Sequence, residues 1–131
     1  MIVSATPLPL SVRVLIADDH RPFCDALEAI LGGDQRIDVI GFASNGVEAV
    51  ELARRLRPDV TLMDISMPLL DGVEATRRIR SEVRGACVLM LSGSDSPADV
   101  ARSREAGAAG YVTKDRIDAE LLDSILQIAA R

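Results

Sequence analysis

Aromatic side chains are nearly absent: the chain holds two phenylalanines, one tyrosine and no tryptophan. Its core must therefore be aliphatic, built from Val, Leu, Ile, Ala and Met. A basic excess is missing as well, because 15 Lys and Arg face 20 Asp and Glu for a net charge of −5. That balance argues against a broad grip on a phosphate backbone. The two cysteines, Cys24 and Cys87, form neither a CxxC nor a metal-ligand spacing. Both stand among apolar neighbours and read as buried thiols of a reducing cytoplasm, Cys87 as core within a strand. No apolar run reaches the length of a membrane span. The opening MIVSATPLPLS lacks a charged n-region and is broken by Pro7 and Pro9. It makes a poor signal peptide, and residues 1–11 read as a flexible leader.

What remains is the balance of one globular domain: 131 residues, 48% hydrophobic and 27% charged. Short aliphatic runs alternate with stretches of helical period. Residues 12–17, 60–63 and 86–91 are near-continuously apolar, as expected of strands covered on both faces. Residues 37–43 are broken by Asp38 and Gly41, which suggests an edge strand, and 110–113 gives a fifth. Between them Phe23, Ala26, Leu27, Ile30 and Leu31 recur at helical spacing, as do Val47, Val50, Leu52 and Leu56, and later Leu121, Leu122, Ile125 and Ile128. Pro22 suits a first turn and Gly32-Gly33 a stop. Asn45-x-x-Glu48 and Asp71-x-x-Glu74 resemble capping boxes, and Ser96-Pro97 a cap with its first-turn proline. Strands separated by helices run parallel with right-handed crossovers. The expected fold class is α/β: a doubly wound five-stranded parallel sheet with five helices, a three-layer sandwich.

Such sheets bind ligands at the carboxyl ends of their strands. Asp18 and Asp19 end the first strand, Asp64 the third, Ser92 the fourth and Lys114 the fifth. Taken singly each is commonplace, the acids as turn residues, the serine as a cap and the lysine as solvated surface. Together they bring three acids, a hydroxyl and an amine to one edge. Three crowded acids need a counter-charge, and oxygen ligands without His or Cys favour Mg²⁺. Two acids on the metal leave the third free to attack phosphorus, with a lysine neutralising the transferring oxygens and Ser92 donating a hydrogen bond.

The segments ADDH, LMDISMPLLDG, LSGSD and GYVTKD resemble those of a response-regulator receiver domain, and the likeness covers about residues 12–130. It implies a flavodoxin-like strand order of 2-1-3-4-5, with residues 12–131 as the receiver. It also implies that Asp64 is the phosphoacceptor and Asp19 a direct Mg²⁺ ligand. Asp18 would hold the metal mostly through water, and the Ser66 carbonyl would complete the protein's share. Ser92 and Lys114 would contact the phosphoryl group, and Tyr111 would be the aromatic switch residue. Gly93 follows Ser92 where the family more often has Ala. His20 after the acid pair, and Asp115 where many receivers have Pro, look like the NarL/LuxR-type subfamily. Its members usually carry a C-terminal helix-turn-helix, so DNA would be reached only through an output domain absent from this chain. The implied partners are a sensor histidine kinase and, on phosphorylation, a second copy of the chain; no membrane is implied. The implied role is control of an output such as transcription, in the cytoplasm. It is not that of an enzyme beyond its own phosphoryl transfer and dephosphorylation.

Other readings compete. A dinucleotide-binding enzyme needs a glycine-rich turn after the first strand, where this chain has Asp-Asp-His-Arg. A phosphatase with an aspartate nucleophile needs a second acid two residues on, and Ser66 stands there. A receiver that binds without phosphorylation usually lacks an acid or the lysine, and here all five groups are present. His20 reads as a solvated or capping residue. The segment 96–106 offers only Val100 and small alanines for burial, so it should dock most weakly and be the helix that moves, with Tyr111 beside it.

Overall fold

The computed structural model describes residues 11–130, so the leader expected at 1–11 lies outside the described residues except for Ser11. Five strands, β1 (Val12–Ala17), β2 (Ile37–Ala43), β3 (Val60–Asp64), β4 (Val88–Ser92) and β5 (Gly110–Thr113), form one parallel sheet in the order β2-β1-β3-β4-β5. The helices are α1 (Arg21–Gly32), α2 (Gly46–Leu56), α3 (Gly72–Glu82), α4 (Pro97–Glu105) and α5 (Leu122–Ala129). This is the three-layer α/β sandwich expected from the alternation, with β2 at an edge. Its register with β1 slips between Val14 and Leu15, the stretch opposite Val39 and Gly41.

Strand periodicity divides the core in two. Val14, Ile16, Leu62, Leu89 and Leu91 point to the face covered by Leu27 and Leu31 of α1 and by Leu121, Ile125 and Ile128 near and within α5. Leu15, Ala17, Met63, Val88 and Met90 point to the other, against Ala49, Val50 and Ala53 of α2 and Val73, Ala75 and Ile79 of α3. From α4 only Ser103 is fully buried, and its Oγ has no hydrogen-bond partner. The expectation of a weakly docked α4 holds.

The caps hold in their first half. Asn45 accepts from the Glu48 N–H at 2.8 Å, Asp71 from Glu74 at 2.8 Å and Ser96 from Asp99 at 3.1 Å. Neither box closes as the spacing suggested. The Glu48 carboxylate takes the Ser44 N–H at 2.7 Å, and the Glu74 carboxylate pairs with Arg77 at 2.6 Å.

Two boundaries are corrected. The fourth strand starts at Val88 and not at Ala86, because the Arg80 guanidinium takes the Ala86 carbonyl at 2.6 Å and Gly85 turns the chain at φ 76°. Cys87 therefore precedes the strand and is half-buried, not core, whereas Cys24 is buried as expected. The last helix, expected over 118–130, is not one regular α-helix. Lys114–Arg116 form a 3-10 turn and Ile117–Leu121 a π turn, after which α5 follows. The wider turn lets Ile117 and Leu121 both bury with Ile125.

Candidate functional site

The carboxyl edge gathers the acids. Carboxylate oxygens of Asp18, Asp19 and Asp64 all lie within 4.8 Å of one another. Asp18 and Asp64 are buried while Asp19 is exposed. Like charges this close need a cation, and the protein supplies one. Lys114 Nζ donates to Asp18 Oδ2 at 2.9 Å and stands 3.6 Å from Asp64 Oδ1. Lys114 is the chain's single lysine; its other cationic side chains are arginines. An ammonium on a flexible stem can change partners where a guanidinium fork would hold one.

Asp18 is already engaged on both oxygens, since Oδ1 accepts the His20 N–H at 2.8 Å. The Cys24 thiol donates to the Asp18 carbonyl at 3.3 Å, and burial with the Asp18 charge pushes that thiol up, so it stays protonated. His20 itself is exposed and stands before α1 without a side-chain capping bond, in line with its solvated reading. Burial and the charge of Asp18 push the Asp64 carboxyl up to about 6, against the opposing pull of Lys114 and the Ser66 N–H. The backbone shape is set by Gly72, whose N–H reaches the Ile65 carbonyl at 2.8 Å. A Cβ at Gly72 would run into the Asp64 carbonyl, so only glycine lets α3 start this close to β3.

The donor set suits Mg²⁺: hard carboxylate oxygens with no His or Cys among them. Both Asp18 oxygens already accept hydrogen bonds, which favours Asp19 and Asp64 as the direct ligands of such an ion. Ser66, exposed, borders with Asp19, Met67, Pro68, Asp71 and Arg102 a cleft of about 520 Å³. Ser92 is buried at the end of β4, and its Oγ accepts the Ser94 N–H at 3.0 Å. The Tyr111 hydroxyl donates to the Ser94 carbonyl at 2.6 Å. The ring is half-buried and borders a cavity of about 120 Å³ with Val100 and Ser103 of α4. Ser92, Ser94, Tyr111 and α4 thus form one connected chain of contacts.

The chain belongs to the response-regulator receiver family. The family's profile, described as the response regulator receiver domain, matches residues 14–126. Among curated relatives, the probable transcriptional regulatory protein NarL of Mycobacterium tuberculosis is 35% identical over 125 residues, covering 95% of this chain and 58% of that protein. The transcriptional regulatory protein LiaR of Bacillus subtilis is 41% identical over 114 residues, covering 87% of this chain and 54% of its own. The solved signal receiver domain of the M. tuberculosis NarL regulator matches with a TM-score of 0.89 at 35% identity, covering 93% of this chain and 98% of that one. This receiver is of the NarL/LuxR type, and it spans little more than half the length of these relatives. Among its described residues no helix is long and apolar enough to cross a membrane.

Two neighbours of the site escaped the sequence reading. Phe23, taken as part of the apolar face of α1, lies under Lys114 with the amine 4.2 Å from the ring centroid. Arg102, on the exposed side of α4, borders the cleft beside Asp19. The scarcity of aromatics was the available signal for the first, since Phe23, Phe42 and Tyr111 all border this edge.

Proposed function

We propose that this receiver takes a phosphoryl group onto Asp64 from the histidine of a sensor kinase and uses it to control transcription. One observation carries the reading: three carboxylates within 4.8 Å of one another share a single lysine, 2.9 Å from Asp18 and 3.6 Å from Asp64. Asp19, Asp64 and the Ser66 carbonyl would hold Mg²⁺, with Asp18 reaching it mostly through water. When bound, the ion neutralises charge on the transferring oxygens.

The chain's own groups do the rest. An Asp64 oxygen attacks phosphorus as the bond to the donor imidazole nitrogen breaks, leaving an acyl phosphate. Lys114 moves from Asp18 toward the arriving oxygens, and the Ser92 hydroxyl turns from Ser94 to donate to one of them. That rotation releases the Ser94 N–H and loosens the loop to which Tyr111 is tied. The weakly held α4 then re-docks, altering the surface of α4, β5 and α5. A charge-assisted hydrogen bond of about 1.5–3 kcal/mol is enough to invert an equilibrium lying one or two kcal/mol to the inactive side. The relatives, named as transcriptional regulators and nearly twice as long, support an output domain joined to residues 12–131. We further propose that the protein acts in the cytoplasm and pairs with a second copy on phosphorylation.

Intact mass after incubation with acetyl phosphate and Mg²⁺ should show one added phosphate, lost in Asp64→Asn. Full labelling of Asp64→Asn would overturn the assignment. Amide hydrogen exchange with beryllofluoride should then change mainly over residues 92–118. Changes confined to the acid cluster would leave a phosphate carrier without a switch.

A further inference from the structure

Lys114 has a third neighbour besides its two carboxylates. Its Nζ lies 4.2 Å from the centroid of the Phe23 ring, while Asp18 Oδ2 is at 2.9 Å and Asp64 Oδ1 at 3.6 Å. The ring comes from the first turns of α1 and the amine from the end of β5, so the fold alone brings them together. An ammonium beside an aromatic face is attracted by the ring's quadrupole. Here that attraction works against a specific loss. Lysine carries four rotatable carbons, and this side chain is 27% exposed. Once Lys114 leaves Asp18, solvent is an alternative to the reacting oxygens. A carboxylate in place of the ring would hold the amine more firmly, but it would repel a phosphoryl group carrying roughly two negative charges. A neutral face attracts the cation without that cost. The ring also packs against the cluster of Leu27, Ile117 and Leu121, and a purely structural role would be filled as well by leucine.

We propose that Phe23 is a positioning residue for Lys114, its ring face holding the ammonium within reach of Asp64 for phosphoryl transfer. The inference rests on the phosphoacceptor reading of Asp64. Phe23 carries no group that could bond the phosphoryl oxygens or a metal, so its role runs through the amine.

The composition makes the test clean, since the chain's single lysine gives one side-chain ammonium to observe. In the 131-residue chain labelled with ¹³C-lysine, the ε-methylene resonance should lie upfield through the ring current and return to the ordinary position in Phe23→Leu. Labelling by acetyl phosphate with Mg²⁺ should slow about fivefold in Phe23→Leu and stay within about twofold in Phe23→Tyr. Trifluorophenylalanine placed at position 23 alone nearly keeps the ring's volume while draining its face of charge. It should slow labelling as leucine does, with the urea midpoint close to wild type. Phe23→Leu labelling at the wild-type rate would overturn the inference. So would a fluorinated chain as fast as wild type, which would reduce Phe23 to packing. A wild-type chain that takes no phosphate defeats the phosphoacceptor reading instead, and the ε-methylene shift still reports whether the ring holds the amine.

Discussion

The two ends of the sheet treat charge in opposite ways. At the amino end Arg13 closes a network: its N–H meets Asp59 at 2.7 Å, and its guanidinium takes the Arg57 carbonyl at 2.9 Å and the Leu56 carbonyl at 2.8 Å. Those are among the carbonyls that the end of α2 leaves open, so the charge is spent on finishing a helix. At the carboxyl end three acids share one lysine, and Asp64 is pushed up to about 6. The first end is complete as folded; the second leaves three acids to one lysine, and the proposed function is what would complete it. Charge satisfied within the protein contributes stability, and charge left over contributes function.

The comparison can be strained at either end, starting with the largest effect. Mg²⁺ at about a hundred times its Kd should stabilise the chain by about 2.7 kcal/mol, since it binds only the folded state. The melting temperature would rise with Mg²⁺ and fall back in EDTA; an unchanged melting temperature counts against the metal site. Arg13→Ala should cost about 1–2 kcal/mol in urea unfolding, with or without Mg²⁺, because it opens the α2 carbonyls at the far end. Asp19→Ala should be neutral or stabilising by up to about 1 kcal/mol without metal, through relief of repulsion, and should lose the Mg²⁺ response. A strongly destabilised metal-free Asp19→Ala chain would mean that the acid cluster supports the fold. The smallest effect is in pH. Asp64 holds its proton more tightly folded than unfolded, so its contribution is full below about pH 4 and is lost as pH rises through about 6. After screening by solvent this is of the order of 1 kcal/mol. Metal-free unfolding curves should show that loss in the wild type and not in Asp64→Asn.

The carboxyl end was the more legible of the two in the sequence. Strands covered on both faces appear as unbroken apolar runs, so the residues that end them stand out, and Asp18, Asp19, Asp64, Ser92 and Lys114 were found that way. Strand order followed from the family likeness. The amino end gave no such signal, because Arg13 inside β1 looks like any charged residue on a strand. Cys87 was misplaced because Ala86 and Cys87 continue an apolar run that the Arg80 hydrogen bond and the turn at Gly85 in fact interrupt. The capping glutamates were misjudged because nearby arginines and the Ser44 N–H compete for them. Phe23 under Lys114 and Tyr111 on the Ser94 carbonyl join distant parts of the chain, and no local period encodes such pairs.

The hydrogen bond from Tyr111 to the Ser94 carbonyl has an optical consequence. The chain has one tyrosine and no tryptophan, so tyrosine emission in the near ultraviolet comes from this ring alone. A phenol hydroxyl bonded to a carbonyl and one released to water differ in emission yield and absorption. The molecule therefore carries a native fluorophore at the point where the loop after β4 meets α4. On the proposed function, phosphorylation of Asp64 should be readable in real time from unlabelled protein, and stopped-flow emission would time the proposed relay from acid cluster to surface.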